Sequence, residues 1–481
     1  MFGRIYFRVL WIGCFLSMTL LLSAQSKLDS LHHLNEVVVT ARINKEVIPV
    51  QFLSGDKLEK LAAHSVADAI RYFSGVQIKD YGGIGGLKTV NIRSMGTNHV
   101  GVFYDGIELG NAQNGVVDLG RFSLDNMEAV TLYNGQKSAI FQSAKDFGSA
   151  GSIYLQSRIP VFQENRAYHV KATFKTGSFG VVNPSLLWEQ KLSENVSTSL
   201  STEYMYTTGK YKFTYAVDGG YDTTAVRRNG DVNALRAEGG LYGKIKSGYW
   251  RTKAYFYNSE RGYPGAVVRN RFSHEDRQWD TNFFFQSSFK KDFGDVYSLL
   301  LNAKYAYDYL HYLADPQKEE ATMYVNNTYR QQEVDLSMAK TVTLFPFWDI
   351  NISADYQWNK LNANLTDFPY PRRNTALVAA ATSLHLERFK LQASVLGTFV
   401  NENVASDTTS AGNKMEFTPT VITSYKPFKN IDLNLRAFYK RIFRMPTLND
   451  LYYTFIGNIK LKPEYTNQYN VGFTYQKLSS G

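Results

Sequence analysis

The feature that most constrains this chain is a two-residue alternation of apolar and polar side chains, sustained over stretches of about ten residues. From Trp348 to Trp358 the even positions (Trp348, Ile350, Ile352, Ala354, Tyr356, Trp358) are apolar and the odd ones polar. Ile431, Leu433, Leu435, Ala437 and Tyr439 alternate with Asp432, Asn434, Arg436, Phe438 and Lys440. Tyr469, Val471, Phe473 and Tyr475 alternate with Gln468, Asn470, Gly472 and Thr474, and Val196 to Tyr206 behaves likewise. Successive strand side chains point to opposite faces, so each segment is oily on one side and wet on the other.

A soluble β-sandwich also alternates, and the connections separate the two readings. Short turns are expected near Ser193, Ser247, Asp292, Pro346, Arg388, Lys429 and Lys477. Between them lie long polar segments: Lys210–Asp231, Asn258–Gln278, Tyr309–Tyr329, Leu361–Thr375 and Asn401–Lys414. Turns on one side and long loops on the other are the pattern of an outer-membrane β-barrel. Aromatics at 15% with a mean hydropathy of −0.30 suit such a barrel, whose aromatic girdles mark two lipid interfaces. Two strands before Ser193 and six further hairpins predict about fourteen strands.

The first residues add a compartment. Arg4 and Arg8 precede an apolar run from Val9 to Leu22, and Leu22-Ser23-Ala24 supplies a small residue for cleavage near Ala24. Residues 1–24 therefore read as a secretory signal peptide. The run is short for a membrane-spanning helix, and no later segment has 18 apolar residues in a row. Cys14, the sole cysteine, lies inside this run in a context poor for lipidation, so the mature chain has no thiol chemistry. The net charge of +10 falls to +8 when Arg4 and Arg8 are removed, and its Lys and Arg are scattered rather than gathered into an arm. That distribution argues against nucleic acid as a partner.

Residues Leu34 to Ser157 have a different texture, Gly-rich and mixed, with a helical spacing across Asp56–Ser74 that Gly75 is expected to stop. His32 and His33 lack metal-ligand spacing, so no metal is expected. Gly82 to Gly86 is no dinucleotide loop, because no helix follows it directly. No nucleophile elbow surrounds any Ser. Neither an enzyme nor a cofactor is expected. Glu36-Val37-Val38-Val39-Thr40-Ala41 is a short β-prone segment in a polar leader, either an ordinary first strand or one that adds to another protein's sheet edge.

That segment resembles the TonB box of TonB-dependent receptors. Asp68-Ala69-Ile70, Gly75-Val76-Gln77-Ile78, Gly82-Gly83, Val90-Asn91-Ile92-Arg93, Val102-Phe103-Tyr104-Asp105-Gly106-Ile107 and Met127-Glu128-Ala129-Val130 follow in the order of that family's plug domain. Phe443–Tyr452 and Leu461-Lys462-Pro463-Glu464 resemble one of its barrel segments. Departures occur at Arg93-Ser94-Met95-Gly96, where the family commonly has Arg-Gly, and at Tyr133–Gln136 and Ser149–Ile153.

The resemblance implies a mixed α/β plug domain followed by an antiparallel transmembrane β-barrel. It divides the chain into a periplasmic leader over 25–45, a plug over 46–160 and a barrel over 165–481. TonB, with its inner-membrane energising complex, is the implied partner of Glu36, Val37, Val38, Val39, Thr40 and Ala41. A small nutrient ligand of the iron-siderophore, haem or cobalamin type is implied at Tyr81, Gly83, Ile84, Leu87, Asn111, Gln113 and Asn114. Plug–barrel charge contacts are implied for Arg93 and Glu128. Outer-membrane lipid is a further partner, and a surface lipoprotein is compatible with the family. The alternative function is a non-energised barrel, a porin or surface-binding protein. Plugged transporters use 22 strands, so about fourteen strands lead to the expectation of a C-terminally incomplete barrel.

Overall fold

The computed structural model describes residues 47 and 50–476, except 62, 164–165, 217–221, 266–275, 315–323 and 406–408. The expected signal peptide, Cys14, His32, His33 and the Glu36–Ala41 segment lie outside the described residues.

The chain first builds a plug. Strand β1 (Val50–Ser54) leads into two short helices, α1 (Gly55–Lys60) and α2 (Val66–Ile70). The sequence spacing predicts one helix here; Ser65 breaks it by taking an extended backbone (φ −148°) as the cap of α2. Gly75 then stops the segment with φ +75°, a conformation that glycine adopts without strain. Strands β2 (Val76–Asp80) and β3 (Lys88–Ile92) form a hairpin. β4 (Val100–Tyr104), β5 (Ile107–Glu108), β6 (Met127–Tyr133) and β7 (Gly151–Ser157) join β1 in a five-stranded sheet ordered β1-β6-β7-β4-β5, parallel only between β4 and β7. Its core is apolar: Val66, Ile70, Leu119, Leu132, Ile153 and Leu155 are all fully buried. The departure after β3 has a backbone cause. Arg93 and Ser94 both take positive φ (49° and 60°), the region where the family's glycine would sit unstrained.

The rest is one antiparallel meander of fourteen strands, the number that the turn spacing predicts. In chain order they are β8 (Tyr168–Gly177), β9 (Val181–Lys191), β10 (Val196–Thr207), β13 (Val232–Ile245), β14 (Gly248–Tyr263), β15 (Asp276–Phe293), β16 (Tyr297–Ala314), β17 (Val325–Phe345), β18 (Trp348–Ala363), β19 (Arg372–His385), β20 (Phe389–Asn403), β21 (Lys414–Tyr425), β22 (Asp432–Arg444) and β23 (Glu464–Gln476). The first long connection carries its own hairpin, β11 (Tyr211–Ala216) with β12 (Asp222–Arg227). Short and long connections alternate as expected: β13 and β14 are joined through Ile245–Gly248, whereas β22 and β23 are separated by a loop holding helix α3 (Leu448–Tyr452). No described helix is long and apolar enough to cross a membrane.

The sheet curves around the plug. Its first strand holds it through Lys171–Glu59 and Lys175–Asp125, and its last through Gln468, which donates to the Ala150 carbonyl. The alternation sorts the faces as the sequence requires. On β18 the odd residues Asn351, Ser353, Asp355, Gln357 and Asn359 are buried against the plug, and Ile352 and Tyr356 face outward, exposed. One strand departs from the pattern. β19 runs apolar on both faces over Ala376–Ala381 because Leu377, Ala379 and Ala381 pack against Ile140, Ala144 and Phe147 of the plug. An alternation rule fails wherever both faces of a strand are covered.

Val378 is 48% exposed and sits mid-strand on the outward face of β19. Val378→Arg is expected to destabilise the inserted sheet by about 2–4 kcal/mol, the cost of Arg at the bilayer midplane. Val378→Leu is expected to leave it unchanged. The check is the fraction of each variant that assembles into lipid vesicles across a urea series; equal fractions would refute a lipid-facing β19.

Candidate functional site

The charges that seat the plug come from the ends of its strands. Between β4 and β5 the chain turns through Asp105 (φ 50°) and Gly106 (φ 90°). This turn pushes the Asp105 carboxylate against the wall, where it accepts from the Ser157 amide at 2.9 Å and lies 2.8 Å from Lys253 Nζ. Lys253, on β14 and only 2% exposed, also meets Glu238 at 2.8 Å. Glu238 in turn accepts from the Tyr104 hydroxyl (2.6 Å) and from Asn126 (3.0 Å), both plug residues. Burial alone pushes the Asp105 carboxyl up, but Lys253 and the Ser157 amide outweigh it and hold it below the usual aspartate range.

Two more knots repeat the scheme. Asp118 caps its own turn by accepting from the Gly120 amide, accepts from the Lys88 amide, and takes Arg261 of β14 at 3.2 Å. Arg261 also binds Asp280 at 2.6 Å and donates to the Gly85 carbonyl at 2.9 Å. Asp125 pairs with Lys175 at 2.7 Å and accepts from Ser185 at 2.6 Å. On the opposite side Lys145 of the plug pairs with Glu108 at 3.0 Å, and reaches Gln357 and, through its amide, Asp355, both at 2.7 Å. Burial raises the Glu108 carboxyl against the pull of Lys145. Among these knots Tyr104, Phe122, Tyr255 and Phe284 stack at 4.8–5.8 Å and join the plug core to the wall.

The expected charge contacts Arg93 and Glu128 are not among these groups. Both are exposed, and neither has an ion-pair partner among the described residues. The reason is backbone direction. Arg93 lies in the left-handed turn after β3, and Glu128 is the extra residue where the β6–β7 register slips between Met127 and Ala129. Asp105, Asp118 and Asp125 carry charge contacts to the wall instead, and Lys145 hydrogen-bonds to it. Asp105 stands in one of the motifs read above, but its wall partner Lys253 has no local signal.

The expected ligand residues divide between two turns on the long-loop side. In the first, Tyr81 is 53% exposed and Gly83 is exposed with φ +73°. Ile84 packs on the plug core, and Leu87 closes the turn by accepting from the Tyr81 amide at 3.1 Å. Gly85 is glycine for lack of space: a Cβ there would lie 1.7 Å from Val232 of β13. In the second, Asn111 receives the Asn114 amide on its side chain (3.0 Å) and the Gly115 amide on its carbonyl (2.8 Å). Gln113 is a correction. It is buried, its amide donates to Gln331 of β17 at 2.8 Å, and its carbonyl accepts from Asn449, so it is not open to a ligand from solution.

What buries Gln113 is α3, which the sequence reading gave to the barrel as part of Phe443–Tyr452. A capping box between Thr447 and Asp450 starts this helix. Leu448 donates to the Ala112 carbonyl at 2.8 Å, and Asn449 reaches Asn114 at 2.6 Å. Tyr452 and Arg373 both bind Glu402 at 2.6 Å, anchoring the helix to the wall. Beneath it lies a cavity of about 240 Å³ between plug and wall, lined by Glu108, Lys145, Glu333, Arg373 and Arg444 among others. Its volume is below that of pockets that enclose a drug-sized ligand. Its lining is mixed, with those charged groups set beside apolar side chains such as Leu377, Leu396 and Phe443. No cluster of metal-ligating side chains occurs among the described residues.

The comparisons agree with this architecture. Residues 43–148 match the family described as TonB-dependent Receptor Plug Domain, and residues 187–481 match TonB dependent receptor-like, beta-barrel. The vitamin B12 transporter BtuB of Vibrio vulnificus is 22% identical over 450 residues, covering 91% of this chain and 67% of that protein. The FrpB iron transporter of Neisseria meningitidis superposes with a TM-score of 0.70 at 11% identity, over 89% of this chain and 71% of that one. The copper transporter OprC superposes with a TM-score of 0.66 at 15% identity, over 86% of this chain and 66% of that one. The chain thus spans about two thirds of the length of these relatives.

Lys253→Met removes the cation shared by two buried carboxylates. It is expected to cost about 3–5 kcal/mol, because breaking a buried pair strands the remaining charge. Arg93→Ala and Glu128→Ala, both at solvent, are expected to cost under about 0.5 kcal/mol. Hydrogen exchange of the Asp105 and Ser157 amides reads the difference; equal protection in all three variants would show that Lys253 does not hold the plug.

Proposed function

The chain belongs to the TonB-dependent receptors, a family of transporters and receptors rather than enzymes, and on that premise we propose that it imports a small nutrient complex across the outer membrane by TonB-driven displacement of its plug. The observation that carries this reading is the plug itself, seated in the wall by charged and hydrogen-bonded groups around an apolar contact region. Each of these contacts is local, so a pull on the plug's leading end can loosen them in sequence. A passive porin has no use for a lumen packed in this way.

The ligand class follows from the relatives only as far as a scarce metal or cobalamin complex. Binding begins at the long-loop mouth, where Tyr81, Gly83 and Asn114 are exposed. The outer membrane holds no ATP, so the energy arrives through a periplasm-spanning partner that adds a strand to Glu36–Ala41. TonB and its inner-membrane complex fill that role.

Val38→Pro removes a backbone donor from the strand that TonB would pair with and fixes its φ. Ligand is expected to bind at the surface as before, while accumulation in the periplasm stops. Growth on single iron or cobalamin sources, with and without the gene, selects the ligand for this assay. Accumulation at the normal rate in Val38→Pro would sink the coupling.

A further inference from the structure

Arg330 on β17, Lys360 on β18 and Arg372 on β19 lie on three neighbouring strands and on the same outward face. Lys360 is directly opposite Arg372 across one strand pair and opposite Gln332 across the other; Arg330 stands one step up from Gln332, opposite Asn362. Like charges directly opposite each other destabilise a sheet unless something compensates them. Nothing in the described chain does: none of the three has an ion-pair partner among the described residues, and Arg330 only overhangs the Tyr309 ring at 5.9 Å. The neighbouring outward positions, Asn374 on β19 and Asn401 and Asn403 on β20, are uncharged amides.

The height of the patch names its partner. Trp348, outward at the foot of β18, stacks with Phe345 and so marks the short-turn girdle. Lys360 follows Trp348 by twelve residues on the same strand. At ~3.3 Å per residue and a tilt of ~40°, that is a rise of about 30 Å. The apolar band of an outer-membrane barrel is about 25 Å tall. Tyr356 and Trp358 therefore stand near its upper edge, and the three cations just above it, at headgroup level.

We infer that Arg330, Lys360 and Arg372 form a binding site for the phosphate-bearing headgroup of an outer-leaflet lipid, a phosphorylated glycolipid. Two guanidinium forks and an ammonium complement phosphate oxygens, and the surrounding amides suit sugar hydroxyls. The inference rests on the outer-membrane reading and adds to it a specific lipid contact on the outside of the wall.

The test uses the purified full chain in mild detergent, native mass spectrometry as the readout, and two probes: a diphosphorylated glucosamine-disaccharide lipid and its dephosphorylated counterpart. The expected result is roughly tenfold tighter retention of the phosphorylated lipid. Arg330→Gln/Lys360→Gln/Arg372→Gln loses this preference, and Arg372→Lys keeps most of it. Equal retention of the two lipids, or an unchanged preference in the triple variant, overturns the site. Full displacement by millimolar inorganic phosphate makes it a free-anion site and overturns the lipid assignment. Cell fractionation separates the two levels. A chain that fractionates with the outer membrane and shows no preference defeats this inference alone, and a chain absent from that fraction defeats the outer-membrane reading along with it.

Discussion

The structure depends on one constraint: the wet face of the wall must find polar partners once the plug displaces water from it. Lys253 shows the consequence. An ammonium buried on a strand's inner face is costly unless carboxylates pair with it, and Asp105 from the plug and Glu238 from the wall do so here. Arg261 between Asp118 and Asp280 repeats the arrangement. Because each of these two knots adds a plug carboxylate to a pair already made within the wall, the plug is held in one registered seat.

That mode of attachment differs from the plug's own core. Between Ile70, Leu132, Ile153 and Leu155 the packing is apolar, so the plug holds together as a unit. Against the wall, apolar contact lies in two regions: the plug core continues into Val181, Met205, Val232, Ala234, Tyr255, Tyr257 and Phe284, and Leu377, Ala379 and Ala381 meet Ile140 and Phe147. Between these regions the plug's circumference meets the wall through charged and hydrogen-bonded groups. The cavity beneath α3, lined by charged and apolar side chains together, lies along this boundary.

Backbone geometry sets the finer detail. The mouth of the lumen is crowded enough that Gly85 has no room for a Cβ beside Val232, and the Asp105 turn accepts positive φ to aim its carboxylate. Helix α3 adds a roof that ties Ala112 and Gln113 to the β22–β23 loop. The long loops therefore do more than decorate the rim: one of them holds a plug turn in place.

The sequence by itself determined the strands, their number and which face of each is wet, because side-chain alternation and turn spacing are local properties. It also carried the plug motifs, including the Asp105-Gly106 turn. It did not determine which charges meet. Arg93 and Glu128 look like contact residues in one dimension, yet Arg93, in a left-handed turn, lines an open cavity with Thr423 and Arg436 of the wall, and a strand bulge turns Glu128 to solvent. The separation of Asp56–Ser74 into two helices, the covering of Gln113 by a helix more than three hundred residues away, and the pairing of Lys253 with Asp105 all arise when distant segments meet. Alternation tells a strand which side faces the lumen; only the seated plug decides which of those side chains acquires a partner, because that depends on register between two separately folded surfaces.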